Sequence, residues 1–142
     1  MAFFNDRVRV QITIESEDRT PEQLSDSSGL PFDVAYRLGE PRGHVGKKWE
    51  RNTWQIGETR NGTESASAHA LLPSCLDDLL RRTDVVRTRL ASVVATCGGE
   101  FAVHVTAASV PGVSFSADQL RRIAALGLSL DIDIVLIDAD DV

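Results

Sequence analysis

From Arg7 to Glu15 the chain alternates without a break, with Val8, Val10, Ile12 and Ile14 on one side and Arg7, Arg9, Gln11, Thr13 and Glu15 on the other. A period of two belongs to a strand and not to a helix. One face of this strand needs a core and the other tolerates water, which calls for a sheet covered on one side only.

The rest of the chain supplies the cover. Thr20-Pro21-Glu22-Gln23 is a helix start, with Thr20 as cap, Pro21 at the first helical position and Gln23 completing a capping box. The helix should end near Gly29, and Phe32 to Leu38 reads as a brief strand. Later, Glu100 to Ser109 alternates again, and Ser116-Ala117-Asp118-Gln119 is a second capping box. It opens a helix with the stripe Leu120, Ile123, Ala124 and Leu126, stopped by Gly127. In the closing stretch, Leu130, Ile132, Ile134 and Leu136 share one face, expected in the core, and Asp131 and Asp133 share the other.

The two ends correspond. Gly29-Leu30 and Phe32-Asp33-Val34 match Gly127-Leu128 and Leu130-Asp131-Ile132 in register, and only the helix length differs. The expected fold is α+β: a single domain, 1–142, whose sheet of four to five strands is mostly antiparallel with helices on one face. Its βαβ halves are pseudo-duplicated, as in ferredoxin-like domains. The first half spans 8–38, an insert 39–99, the second half 100–137 and an acidic tail 138–142.

The insert opens with glycines at 39, 43 and 46. Gly39 to Lys48 fails as a phosphate-binding loop because Pro41 stands where glycine is needed and Lys48 where Ser or Thr is needed, so it reads as a connector. Lys47 to Ile56 reads as a strand or hairpin arm carrying Trp49 and Trp54, and Thr59 to Ser67 as a loop. Five positions apart on a strand, the tryptophans face opposite sides, so one joins the core and the other is a candidate contact residue. Leu71 to Arg82 and Asp84 to Ala95 read as helices, with Pro73 placed in a first turn.

The composition, 42% hydrophobic and 25% charged, is that of a globular protein, and no apolar run approaches the roughly 20 residues of a membrane span. Met1 to Asp6 lacks the pattern of a secretory signal, which gives a cytoplasmic expectation. Cys75 and Cys97 are then expected as free thiols. A net charge of −6 disfavours nucleic acid as partner and suits a basic protein. Residues 37–60 run against that balance, with six Lys/Arg against three Glu around the two tryptophans.

If the strands at 7–15 and 101–109 are neighbours, Arg9, Gln11 and Thr13 share an open face with His104 and Thr106, where an anionic ligand or a partner's surface could sit. Asp131 and Asp133 could add carboxylates there, with pairing to Arg7 and Arg9 as the plainest role. The histidines lack metal-ligand spacing and no serine or cysteine sits in a nucleophile pattern, so neither metal, cofactor nor catalytic residue is expected.

Several short motifs carry a family resemblance: Thr20-Pro21-Glu22-Gln23 with Gly29-Leu30-Pro31, Gly39-Glu40, Trp54-Gln55-Ile56, Leu79-Leu80, and Leu126 to Ile134. With these the chain resembles a bacterial family catalogued as domain of unknown function 4279, in which tyrosine is common where this chain has Val135. The resemblance implies a small cytoplasmic domain and brings no activity, cofactor or catalytic residue. The leading expectation is a non-catalytic binding protein of the immunity or regulatory kind. Its candidate contacts are Arg9, Gln11, Trp49, Trp54, His104, Asp131 and Asp133, and a homodimer is compatible with it. Alternatives are a small-molecule sensor or enzyme on the open face and, more weakly, single-stranded nucleic acid at Trp49 and Trp54.

Overall fold

The computed structural model describes residues 2–44 and 46–137; the acidic tail expected at 138–142 lies outside them. Among the described residues the elements run β1 (Arg7–Ser16), α1 (Pro21–Ser28), β2 (Val34–Tyr36), β3 (Asn52–Asn61), α2 (Ala68–Asp84), α3 (Arg87–Cys97), β4 (Glu100–Ala107), α4 (Ala117–Ala125) and β5 (Ser129–Leu136). The strands form one open sheet in the order β2-β3-β1-β4-β5, antiparallel except for β4 and β5. The fold is α+β, with the helices packed on the sheet.

The alternation in β1 is realised in full: Val8, Val10, Ile12 and Ile14 are completely buried in the centre of the sheet. Beside them lie Trp54 and Ile56 of β3 and Phe101, Val103 and Val105 of β4. Leu72, Leu76, Leu79 and Leu80 of α2 and Leu90, Val93 and Val94 of α3 close the core from above. Each such side chain contributes about 1.5–3 kcal/mol by leaving water.

Both capping boxes form. Gln23 N donates to Thr20 Oγ1 at 3.2 Å and Thr20 N to Gln23 Oε1 at 2.9 Å. Gln119 N and Ser116 N repeat the exchange at 3.0 and 2.9 Å. Gly29 (φ 83°) and Gly127 (φ 76°) lie just beyond these helices in the left-handed region that favours glycine.

Three expectations are corrected. The strand expected over Lys47 to Ile56 begins only at Asn52 and runs on to Asn61, into the expected loop. There Gly62 is required by close approach, since a Cβ would lie 1.8 Å from the Phe3 carbonyl. Helix α2 starts at Ala68, so Pro73 is inside it and not in its first turn. Ser67 caps it, and the buried Asp6 carboxylate accepts from Ala68 N at 2.8 Å. Pro73 stands on the exposed side of the helix, and the bond lost there is the one its missing N–H would have made to the His69 carbonyl.

The third concerns β5, whose apolar residues were expected in the core. In register with β4, Leu130, Ile132, Ile134 and Leu136 lie beside Phe101, Val103, Val105 and Ala107 on the helix side. They are nevertheless 40, 42, 43 and 55% exposed. Helix α4 leans towards α2, tied by Gln119 to Asp77 (2.9 Å) and by Arg122 to Asp84 (2.5 Å), and leaves β5 uncovered. The two βαβ units are also wired differently: β3 lies between β1 and β2, whereas β4 and β5 are direct neighbours.

Candidate functional site

The face of the sheet away from the helices is built by the polar positions of each strand. The β1 register places Thr59, Gln55 and Thr53 of β3 opposite Arg9, Thr13 and Glu15. On its other side, His104 and Glu100 of β4 stand opposite Arg9 and Thr13. Beyond them Asp131 and Asp133 of β5 pair with Ala102 and His104.

Arg9 organises the middle of this face. Its guanidinium reaches towards β3, donating to Gln11 Oε1 (2.9 Å), Thr59 Oγ1 (3.0 Å) and Gln55 Oε1 (3.2 Å). Gln55 passes the chain on to Thr13 Oγ1 at 3.0 Å. The planar group lies over Gly57, where a Cβ would come within 2.6 Å of it. His104 belongs to a separate pair: its Nδ1 is 3.6 Å from Asp133 Oδ2, an ion-pair distance when the ring is protonated. Neither aspartate of β5 pairs with Arg7 or Arg9, because β4 stands between the strands. The predicted set Arg9, Gln11, His104, Asp131 and Asp133 therefore shares a face but divides into two clusters.

The tryptophans do separate, though not by strand parity, since Trp49 lies before β3 begins. Trp54 is wholly buried, its indole N–H donating to Ser25 Oγ of α1 at 3.1 Å, and it offers no surface to a ligand. Trp49 is half-buried on the open side, stacked on Tyr36 with centroids 4.1 Å apart and planes 14° from parallel. Arg42 sits over the indole at 4.3 Å, within cation–π range. The glycine-rich stretch is the turn that holds this arrangement. Gly39 N donates to Trp49 O (2.8 Å) and Trp49 N to Glu40 O (2.9 Å), with Gly39, Gly43 and Gly46 at positive φ.

Half of the six basic side chains around the tryptophans are matched by acids, some from the same stretch and some from elsewhere. Arg37 meets Glu22 and Glu40, Arg51 meets Glu17, and Arg60 meets Glu58 and Asp78. The hydrogen-bonded Arg37 guanidinium holds the Glu22 carboxyl down at about 2. Asp33 bonds both Arg82 (3.0 and 3.1 Å) and Gly57 N (2.9 Å), tying β2 to β3 and α2.

Between the Tyr36–Trp49 wall and the β1–β4 border the face sinks into a cavity of about 450 Å³. Of the residues expected on the open face, Gln11 and Thr13 lie in its floor, and Trp49 is in its wall. Sequence reasoning missed Thr53, Gln55, Tyr36, Glu15 and Glu100, which also line it. Glu15 was within reach, being the last polar position of the β1 alternation. The others needed the β3 and β4 registers. Among the described residues no three His, Cys, Asp or Glu side chains gather where they could hold a metal ion, and no helix is long and apolar enough to cross a membrane.

Residues 6–136 match the family described as Domain of unknown function (DUF4279), and the chain belongs to it. No curated protein and no solved structure matches.

Proposed function

We propose that this DUF4279 domain is a non-catalytic binding protein, of the immunity or regulatory kind, that holds a partner protein along the free edge of β5. One observation carries the reading: an outermost strand of eight residues has all four apolar side chains of its helix-side face 40% exposed or more. Unpaired backbone beside an apolar stripe is the surface to which an extended segment adds as a further strand. The partner segment alternates apolar and basic residues. Its apolar side lies on Leu130, Ile132, Ile134 and Leu136, and its basic side meets Asp131 and Asp133 in a protein of net charge −6.

A second copy fits less well. Antiparallel self-pairing that keeps the apolar faces together and is centred on Ile132 sets Asp131 against Asp133 twice, and centring it on Asp133 sets that carboxylate against itself. Like charges directly opposite destabilise a strand pair. Only a shift towards either end of the strand, to Leu130 or to Ile134 and beyond, avoids this, and each shortens the overlap. The proposal places the protein in the cytoplasm, in keeping with two free cysteines.

The test is fluorescence anisotropy with a labelled seven-residue peptide alternating lysine and valine, and its glutamate–valine counterpart. The lysine peptide is expected to bind and to lose at least tenfold in affinity with Asp131→Asn/Asp133→Asn and with Ile134→Lys. Equal binding of both peptides, or indifference to the β5 variants, overturns the reading. A dimer in sedimentation equilibrium that Ile134→Lys dissolves makes a second copy the occupant instead.

A further inference from the structure

The open-face cavity is independent of β5 and has its own chemistry. We infer that it is a binding site for a small organic cation, an alkyl amine with one or two ammonium groups. Two carboxylates stand at its border. Glu100 is the register partner of Thr13, and Glu15 is two residues further along β1 on the same face. Strand geometry sets such diagonal neighbours about 7–8 Å apart, a span that one diamine bridges. Among the described residues, neither carboxylate has an ion pair; Arg51, which also lines the cavity, is matched by Glu17 at 3.7 Å.

A second observation points the same way. Thr53, 4% exposed and lining the cavity, has a hydroxyl with no hydrogen-bond partner. A buried hydroxyl left unmatched is costly, and a ligand N–H would satisfy it. The aromatic wall adds apolar surface for the alkyl chain: Trp49 is held between Tyr36 and Arg42, and the stacked pair borders the cavity. The cavity volume suits a small ligand. Two unpaired acids and an unmatched hydroxyl favour an amine over an anion or a neutral sugar.

The probe is putrescine, with 1,4-butanediol as an uncharged control of the same chain length. Calorimetric titration in low salt, checked by tryptophan fluorescence, should show putrescine binding with a Kd below about 1 mM and no heat from the diol. Because Trp54 is sealed in the core, the fluorescence change should vanish in Trp49→Phe. Glu15→Gln/Glu100→Gln should weaken putrescine at least tenfold without altering the melting temperature, since both side chains are exposed. In the unmodified protein, amide shifts should centre on Thr53, Gln55 and Glu100. The inference is overturned by no putrescine binding, by equal binding of the diol, by unchanged affinity in the double variant, or by shifts centred elsewhere. Asp131→Asn/Asp133→Asn should leave putrescine binding intact, so this site and the β5 edge stand or fall separately.

Discussion

Replacing Ile132 by threonine should cost far less stability than the same replacement at Val103, its register partner on β4. Both substitutions keep a β-branched residue in the strand, so intrinsic propensity is held nearly constant. Both side chains point to the helix side, but Val103 is 0% exposed and Ile132 42%. Val103→Thr forfeits about 0.8 kcal/mol of transfer energy and adds about 1–3 kcal/mol for a buried hydroxyl without a partner, about 2–4 kcal/mol together. Ile132→Thr removes two carbons worth about 1.6 kcal/mol if fully buried; with little more than half of the side chain covered, the loss falls to about 0.9 kcal/mol. Its new hydroxyl stays in water and adds no burial penalty. Urea unfolding followed by circular dichroism, at matched m values, measures both. An Ile132→Thr loss as large as that of Val103→Thr would refute the claim that the β5 stripe is uncovered.

Asp33→Asn should cost no more than about 1 kcal/mol, because the carboxylate is 41% exposed and solvent screens it. Burial raises the Asp33 pKa, but Arg82 and the Gly57 N–H outweigh it and hold the group below its ordinary 3.8. The stabilisation is therefore complete above the unfolded value, and the gap between the two proteins should close as pH falls through the lower folded value. A gap that widens in acid, measured by urea unfolding across pH, would contradict this sign. For the thiols, burial pushes Cys75 up to about 11, whereas Cys97 is half-exposed. Iodoacetamide labelling read by mass spectrometry should modify Cys97 first and leave Cys75 intact until unfolding; equal rates would contradict the packing of α2.

The sequence was most legible where the chemistry is local. Thr20 with Gln23 and Ser116 with Gln119 are complete within four residues, and both boxes form. The alternation of β1 reports two faces, and the condition that would set Arg9 beside His104, β1 next to the 101–109 strand, is met in the sheet. Alternation does not distinguish a central strand from an edge. The same pattern that buries Val8 leaves Ile132 in the open, because coverage depends on where α4 comes to rest. Trp49 and Trp54 do part company, but not by the expected parity, because Trp49 lies before β3 begins; the choice of the buried one waits on α1, whose Ser25 accepts from the Trp54 indole. The likeness of Asp33 to Asp131 is likewise one of pattern alone, since Asp33 holds Arg82 and Asp131 stands beside Ala102 on the outermost strand. The cavity was invisible for a related reason: Thr53, Tyr36 and Glu100 come from three strands and meet only through the register.

The strand at the middle of the sheet is also the first of the five in the chain. Arg7 pairs with Asn61 on one side and Thr106 on the other, so β1 has no hydrogen-bonding partner in its own neighbourhood. During synthesis at about 5–20 residues per second, Val8, Val10, Ile12 and Ile14 wait several seconds or more for the strands that flank them. Contacts so distant along the chain slow folding, and a waiting β-branched strand is prone to pair with the wrong chain. The arginines at 7 and 9 and the glutamate at 15 lie within that same strand, where like charges on neighbouring nascent chains repel. The polar face that later floors the cavity thus guards the segment before the cavity exists.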